Sequence, residues 1–192
     1  MNQSFAALLL AARRERQLVI ATALTDGAPS GQARQARLAQ QQGAGAAELR
    51  ADLLADPAQV RAALTAVRAA SSLPLLLTYR STTEGGKGAG HGQGYEDYLA
   101  SLLQLRPAVA AVDIEMACPA SKALVAEAKA GGYDVVGSCH DFTATPRAAQ
   151  IAEKLAQITA AGADITKVAY MPRTAQDVAA LRHAAHDFAG AY

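Results

Sequence analysis

Two polar residues stand in segments that otherwise have the composition of buried strands, and both could carry chemistry. Lys167 lies in the apolar segment 165–172, and His140 lies near the end of the apolar segment 135–142. An unpaired ammonium in an apolar interior is costly and tends to lose its proton, which makes lysine a nucleophile toward carbonyl carbon. A nearby imidazole can then move protons on the resulting imine. The pair therefore indicates imine chemistry.

A purely structural role for Lys167 stays open at this point. A lysine at a strand end commonly extends its ammonium to solvent or pairs with a carboxylate. Other charged residues occupy strand-like segments in the same way, namely Glu48, Arg50, Arg80, Asp113 and Glu115. Period-two spacing puts Glu48 and Arg50 on the same face of their strand, and it puts Asp113 and Glu115 on the same face of theirs. We interpret Asp113 and Glu115 as members of ion pairs.

Composition excludes several classes of function. The chain has 192 residues, 51% of them hydrophobic, which is enough for one domain with a sizeable core. A net charge of +1 gives no basic surface for nucleic acid. Cys118 and Cys139 lack metal-binding spacing and suggest reduced thiols, so we expect a cytoplasmic protein. The apolar run 5–12 precedes its arginines and is too short to span a membrane, so it predicts an N-terminal helical extension over residues 1–16.

Apolar segments recur along the chain at a regular interval. Strand-like segments begin near Leu18, Ala47, Leu75, Val109, Asp134 and Thr166. Alanine-rich helical segments include residues 57–70, 95–104, 121–130, 146–160 and 174–188. Alternation at about 30 residues per unit is typical of βαβ units and predicts a parallel sheet covered by helices. We expect a single α/β domain of TIM-barrel type over residues 1–192, because polar residues gather at strand ends, where barrel active sites form.

Four short motifs, in this order, resemble the type I 3-dehydroquinate dehydratase family. They are Glu48-x-Arg50; Thr78-x-Arg80-Ser81 followed by Glu84-Gly85-Gly86; Ser138-x-His140-Asp141-Phe142; and Lys167-x-Ala169-x-Met171-Pro172. The likeness runs from about Leu18 to the C-terminus. It implies a TIM (β/α)8 barrel and a lyase of the shikimate pathway, which removes water from 3-dehydroquinate to give 3-dehydroshikimate.

The resemblance also implies a role for each matching residue. Lys167 would form an imine with the substrate ketone, His140 would transfer protons, and Glu84 would orient His140. The substrate-binding positions would be Thr22, Glu48, Arg50 and Arg80. No metal or cofactor is implied, the partner is the small-molecule substrate 3-dehydroquinate, and a homodimer is expected.

The chain departs from the family in length. It holds about six βα units, whereas a (β/α)8 barrel takes about 250 residues. We therefore expect two units to be absent, together with an arginine and a Ser/Gln-bearing loop that bind substrate in the family. A catalytically impaired homologue is one alternative that follows. Another imine-forming enzyme of the aldolase type is a second, although it does not predict the motif around His140.

Two further segments have simpler interpretations. The glycine-rich segment 84–94 fits no phosphate-binding motif and is predicted to form a mobile lid over the barrel mouth. His183 and His186 are three residues apart on a predicted helix, and we interpret them as part of a solvated helix face.

Overall fold

A single parallel sheet organises the chain. The computed structural model describes residues 4–105 and 109–191. Six strands lie in the order in which they occur in the sequence, each parallel to the next. They are β1 (Ala21–Leu24), β2 (Ala46–Arg50), β3 (Leu75–Thr78), β4 (Ala111–Glu115), β5 (Asp134–Asp141) and β6 (Ile165–Tyr170). The predicted α/β fold of barrel type is thereby confirmed, with the sheet curled into a half-barrel.

Within the described residues, seven α-helices accompany the strands. They are α1 (Phe5–Arg14), α2 (Pro29–Gln41), α3 (Pro57–Ala70), α4 (Gln93–Leu102), α5 (Ser121–Ala130), α6 (Ala148–Ala160) and α7 (Ala175–Ala191). Helix α3 shows why the boundaries fall where they do. The Asp56 side chain accepts a hydrogen bond from the Gln59 backbone N–H, and Pro57 occupies the first turn, where it removes no intrahelical bond. On the buried face of α3, Val60, Leu64 and Val67 pack into the core beside the sheet.

Three apolar clusters surround the sheet in the described residues, and the two that flank the interior lie on its opposite faces. The larger core fills the space between the strands and the covering helices, and it includes Leu24, Leu49 and Leu77. A smaller cluster lies at the amino ends of the strands, where Phe5 of α1 packs with residues such as Ala46. Because α1 covers this end, the opposite end of the interior, where the carboxyl ends of the strands lie, is the one that can hold a site.

The N-terminal helix is fixed to the sheet by its own cap. The Ser4 hydroxyl accepts a hydrogen bond from the Ala7 backbone N–H and donates one to Asp134, at 2.7 Å. Asp134 also accepts from the Ala6 backbone N–H at 2.8 Å. The predicted extension over residues 1–16 thus contains a helix at Phe5–Arg14, and its residues 1–3 lie outside the described residues.

The two outer strands differ from the inner ones. Within residues 4–105 and 109–191, β1 pairs only with β2, and β6 pairs only with β5. Just before β1, Leu18 is 96% exposed, whereas the inner strand β4 is buried throughout. No helix among the described residues combines the length and apolar character needed to cross a membrane.

Candidate active site

Polar side chains from five neighbouring segments meet in the interior at the carboxyl ends of the strands. The strand register places Thr78 level with Asp113, and Glu115 level with Ser138 and Lys167. Neighbouring residues in register point to the same face of a sheet, so these side chains converge. The cluster consists of Glu48, Thr78, Arg80, Glu84, Asp113, Glu115, Ser138, His140 and Lys167. Of the residues predicted for the site, Glu48, Arg80, Glu84, His140 and Lys167 are therefore brought together.

Arg80 lies at the centre of the cluster. Its Nη1 lies 2.9 Å from Glu115 Oε1, 3.0 Å from Ser138 Oγ and 3.3 Å from Glu84 Oε2. Its Nη2 donates to Asp113 Oδ2 at 2.9 Å. Burial opposes the charge, but the surrounding carboxylates outweigh it and raise the pKa of Arg80. The guanidinium is thus a permanent cation that holds three carboxylates in place.

Lys167 is not the unpaired lysine that its apolar sequence context predicts. Its Nζ donates to Glu48 Oε1 at 3.0 Å and to Asp113 Oδ2 at 3.3 Å, and its side chain is 32% exposed. That part of the prediction is wrong, because the carboxylates that pair with the ammonium come from strands remote in sequence. Burial acts to raise the pKa of Asp113, yet attraction by Arg80 and Lys167 and a hydrogen bond from Ser138 hold it below its ordinary value.

His140 is held by one carboxylate through two bonds. Glu84 Oε2 lies 2.8 Å from His140 Nδ1 and accepts from the His140 backbone N–H at 3.1 Å. Glu84 ends a short 3-10 helix that is followed by Gly85, whose φ of +80° favours glycine. Next to it, a Cβ on Gly86 would lie 2.1 Å from the carbonyl oxygen of Arg80. The Glu-Gly-Gly sequence is therefore what allows the carboxylate to reach the histidine.

Arg50 faces the same interior but is engaged beside the cluster. Its guanidinium makes two hydrogen bonds to Asp52, at 2.8 and 2.7 Å. Burial acts to raise the pKa of Asp52, but the bond from Arg50 and one from the Lys87 backbone N–H lower it overall. Arg50 and Asp52 form a stable unit at the end of β2, and Arg50 must share its donors with Asp52 to bind a substrate.

Thr22 is not brought to the cluster. Ala23, and not Thr22, lies level with Glu48 in the strand register. Thr22 shares the opposite face of β1 with Leu24, which belongs to the core between sheet and helices. The register therefore gives no support to a substrate-binding position at Thr22, and we do not include this residue in the proposed site.

The structure adds His91, which the sequence did not single out. His91 Nε2 lies 2.6 Å from Glu115 Oε2 and 3.3 Å from Ser81 Oγ. The ring comes from the glycine-rich segment that was predicted to be a lid, and this segment does lie at the carboxyl end of the sheet. A histidine in a segment with six glycines was a signal, since nothing in such a segment requires an imidazole.

Three of these side chains could also ligate a metal ion. Ligand atoms of Glu84, His91 and Glu115 lie within 4.8 Å of one another. However, Arg80 Nη1 contacts both carboxylates, so a guanidinium already supplies the positive charge there. We therefore propose no metal at this place.

The arrangement defines a class of protein. Parallel βα units place a lysine and a carboxylate-bound histidine in one interior, at the carboxyl ends of the strands. Active sites of barrel-type α/β enzymes form at that end. A family model described as Type I 3-dehydroquinase matches residues 20–192. The chain belongs to the type I 3-dehydroquinase family.

Individual relatives agree with this assignment. A 3-dehydroquinate dehydratase from Methanosarcina barkeri is 37% identical over 155 residues, covering 79% of this chain and 64% of that protein. One from Methanosarcina acetivorans is 36% identical over 144 residues, covering 73% and 60%. Among solved structures, 3-dehydroquinate dehydratase from Enterococcus faecalis matches with a TM-score of 0.81 at 29% identity, covering 88% of this chain and 73% of that one. The chain thus spans less than two thirds of the length of the two Methanosarcina relatives.

Proposed function

We propose that this chain carries the imine-forming and proton-transferring site of a 3-dehydroquinate dehydratase. The observation that supports it best is that Lys167 and His140 lie on the adjacent strands β6 and β5, facing the same interior. Within the described part of the chain, Nε2 of His140 makes no hydrogen bond to protein, while Nδ1 is bound to Glu84. A ring held in this way presents one nitrogen to a substrate.

The reaction would begin at Lys167. Its amine attacks the substrate ketone and expels water, which leaves a protonated imine. The ammonium must first lose a proton, and Glu48 is the better placed acceptor. It is closer than Asp113, at 3.0 Å against 3.3 Å, and its side chain is 17% exposed, whereas that of Asp113 is 1% exposed.

Proton transfer then falls to His140. The iminium withdraws electrons from the adjacent carbon, so a base of near-neutral strength can remove its proton. His140 takes that proton and returns one to the departing β-hydroxyl group, which leaves as water. Hydrolysis of the conjugated imine releases 3-dehydroshikimate and restores the amine. Glu84 keeps the imidazole oriented through both transfers.

The roles of the arginines stay predictions. Arg80 and Arg50 are expected to bind polar groups of the substrate, as the resemblance implies. Both Nη atoms of Arg80 already contact protein acceptors, so a substrate group would share these donors. Glu48, which also accepts from Thr78 Oγ1 at 2.7 Å, would contact a hydroxyl group beside the imine.

The test is covalent trapping. Borohydride added with 3-dehydroquinate should reduce the imine and leave an adduct on Lys167, located by mass spectrometry of peptides. Lys167→Ala should abolish the adduct, and Lys122→Ala, which changes an exposed lysine on α5, should not. A folded sample that shows no adduct on Lys167 would end the proposal.

His140→Ala separates the two halves of the reaction. This variant should still be trapped on Lys167, whereas dehydration, followed by absorbance of the enone product, should fall by about 10²–10⁴-fold. Trapping without any turnover in the parent chain would indicate an impaired homologue.

Assembly as a homodimer also stays a prediction. Strands β1 and β6 have unpaired outer edges within the described residues, and exposed backbone edges favour association. Sedimentation velocity across a range of protein concentrations will measure the oligomeric state. A monomer at every concentration would contradict the prediction.

A further inference from the structure

Two histidine–glutamate pairs share one guanidinium nitrogen. His140 Nδ1 lies 2.8 Å from Glu84 Oε2, and His91 Nε2 lies 2.6 Å from Glu115 Oε2. Arg80 Nη1 contacts both carboxylates, at 3.3 Å for Glu84 and 2.9 Å for Glu115. A continuous chain of polar contacts therefore runs from His91 to His140. The proposed mechanism uses only one end of it.

His91 is held more firmly than a loop histidine needs to be. Its side chain is 13% exposed, and its ring packs edge-on against Tyr95 with centroids 5.4 Å apart. Its backbone N–H donates to Thr83 Oγ1 at 3.3 Å. Contacts from β4, from the segment after β3 and from α4 thus fix the ring over Glu115.

The hydrogen bond between His91 and Glu115 affects how Arg80 is shared among the buried carboxylates. Glu84, Asp113 and Glu115 are all buried, and Arg80 contacts each of them. The three carboxylates therefore compete for the Arg80 guanidinium, and among them Asp113 also pairs with Lys167. A donor at His91 satisfies Glu115 in part and so leaves more of Arg80 to Glu84.

Removal of that donor should shift the competition. Glu115 would attract Arg80 more strongly, and the contact to Glu84, the longest that Nη1 makes, would weaken first. Arg80 would then compensate less of the charge on Glu84. An imidazolium at His140 is more stable beside a less compensated carboxylate. The other ionisable groups near the two pairs include Arg80, Asp113, Tyr95, Lys167, Cys118, Cys139 and Tyr170.

We propose that His91 is a positioning residue that sets the proton affinity of His140 through Glu115, Arg80 and Glu84. The significance of this link for catalysis rests on the proposed function, in which His140 is the base. The link itself is a property of the folded chain and can be measured without turnover.

The experiment is an NMR titration of the His140 imidazole in the full chain. His91→Phe keeps an aromatic ring against Tyr95 but removes the donor, and it should raise the titration midpoint of His140 by about half to one pH unit. His91→Gln restores an N–H donor and should return the midpoint close to that of the parent. Gln93→Ala is the matched control, because it changes an exposed side chain of the same segment that bonds to Asp97 and not to His91.

A second variant, for which the opposite shift of the His140 midpoint is expected, keeps the test decisive if His91→Phe does not fold. Glu115→Gln removes the competing charge, so Arg80 should move toward Glu84 and the His140 midpoint should fall. An unchanged midpoint in a folded His91→Phe, a rise in Glu115→Gln, or a shift in Gln93→Ala equal to that in His91→Phe would each overturn the proposal.

The dehydration assay adds a second readout. In an active chain, the acid limb of kcat/KM should move to higher pH in His91→Phe by the same amount as the NMR midpoint. If the parent chain shows neither an adduct on Lys167 nor turnover, the proposed function fails, whereas the NMR titrations still decide whether His91 acts on His140.

Discussion

Replacing Arg80 by lysine keeps the positive charge but removes the planar fork that reaches several acceptors at once. In the structure, the guanidinium contacts Glu84, Asp113, Glu115 and Ser138 within 3.3 Å. A lysine ammonium is a single point of charge on a flexible stem and cannot span Asp113 and Glu115 together. At least one buried carboxylate therefore loses its cation in this variant.

The size of the effect follows from these contacts. A hydrogen bond to a charged group contributes about 1.5–3 kcal/mol, and more than one is lost when Asp113 and Glu115 can no longer share a fork. Breaking a buried ion pair by removing one partner costs about 3–5 kcal/mol. Because lysine retains part of the attraction, we expect Arg80→Lys to lower the free energy of unfolding by about 3 kcal/mol.

Arg50→Lys is the matched control. Arg50 also makes a two-pronged bond to a carboxylate, but its side chain is 22% exposed and it contacts one partner, Asp52. We expect a loss of about 1 kcal/mol, as for a partly exposed ion pair. Urea unfolding monitored by circular dichroism at neutral pH gives both values. Equal losses in the two variants would refute the view that Arg80 holds the interior together.

Two other predictions concern the turn after β3 and the response to acid. Gly86→Ala should lower the free energy of unfolding by about 1–3 kcal/mol and lower dehydratase activity, because its methyl group would meet the Arg80 carbonyl oxygen. Gly90→Ala is the control: its methyl group would lie 3.5 Å from the nearest atom, so both measurements should stay unchanged. The depressed pKa of Asp113 supplies stability that is present above the unfolded value of 3.8 and is lost as pH falls below it. Between about pH 5 and about pH 3, the free energy of unfolding should therefore fall less in Asp113→Asn than in the parent. An equal fall in the two proteins would contradict the role given to Asp113.

Much of the fold could be predicted because its signals are local. Each inner strand is a short apolar run, and the bounds of α3 and α5 coincide with the predicted ranges 57–70 and 121–130. Helix α2 was not among the predicted helices, since the segment 29–41 is rich in glutamine and arginine and buries mainly small residues such as Ala36 and Ala39. Its place is determined by packing against α3 and not by its own periodicity.

The site was less predictable because its contacts are not local. Lys167 and Glu48 are 119 positions apart, and no pattern within either strand shows that they meet. Thr22 lies on the outer face of β1, and that strand reads Ala-Thr-Ala-Leu, with no charged residue to mark its inner face. His91 lies in a segment without periodicity, so only the folded chain shows that it reaches Glu115.

The ion pair between Lys167 and Glu48 shows how the curl of the sheet serves the site. Lys167 is on β6 and Glu48 is on β2, with three strands between them. In a flat sheet, four intervals of about 4.8 Å would put these strands about 19 Å apart, which is too far for the two side chains to meet. Their 3.0 Å contact therefore requires curvature, and the lysine that would form the imine is positioned across the interior as well as by its own strand. A change that flattens the sheet should separate Lys167 from Glu48 while each strand keeps its neighbours, so the site would be lost before the secondary structure.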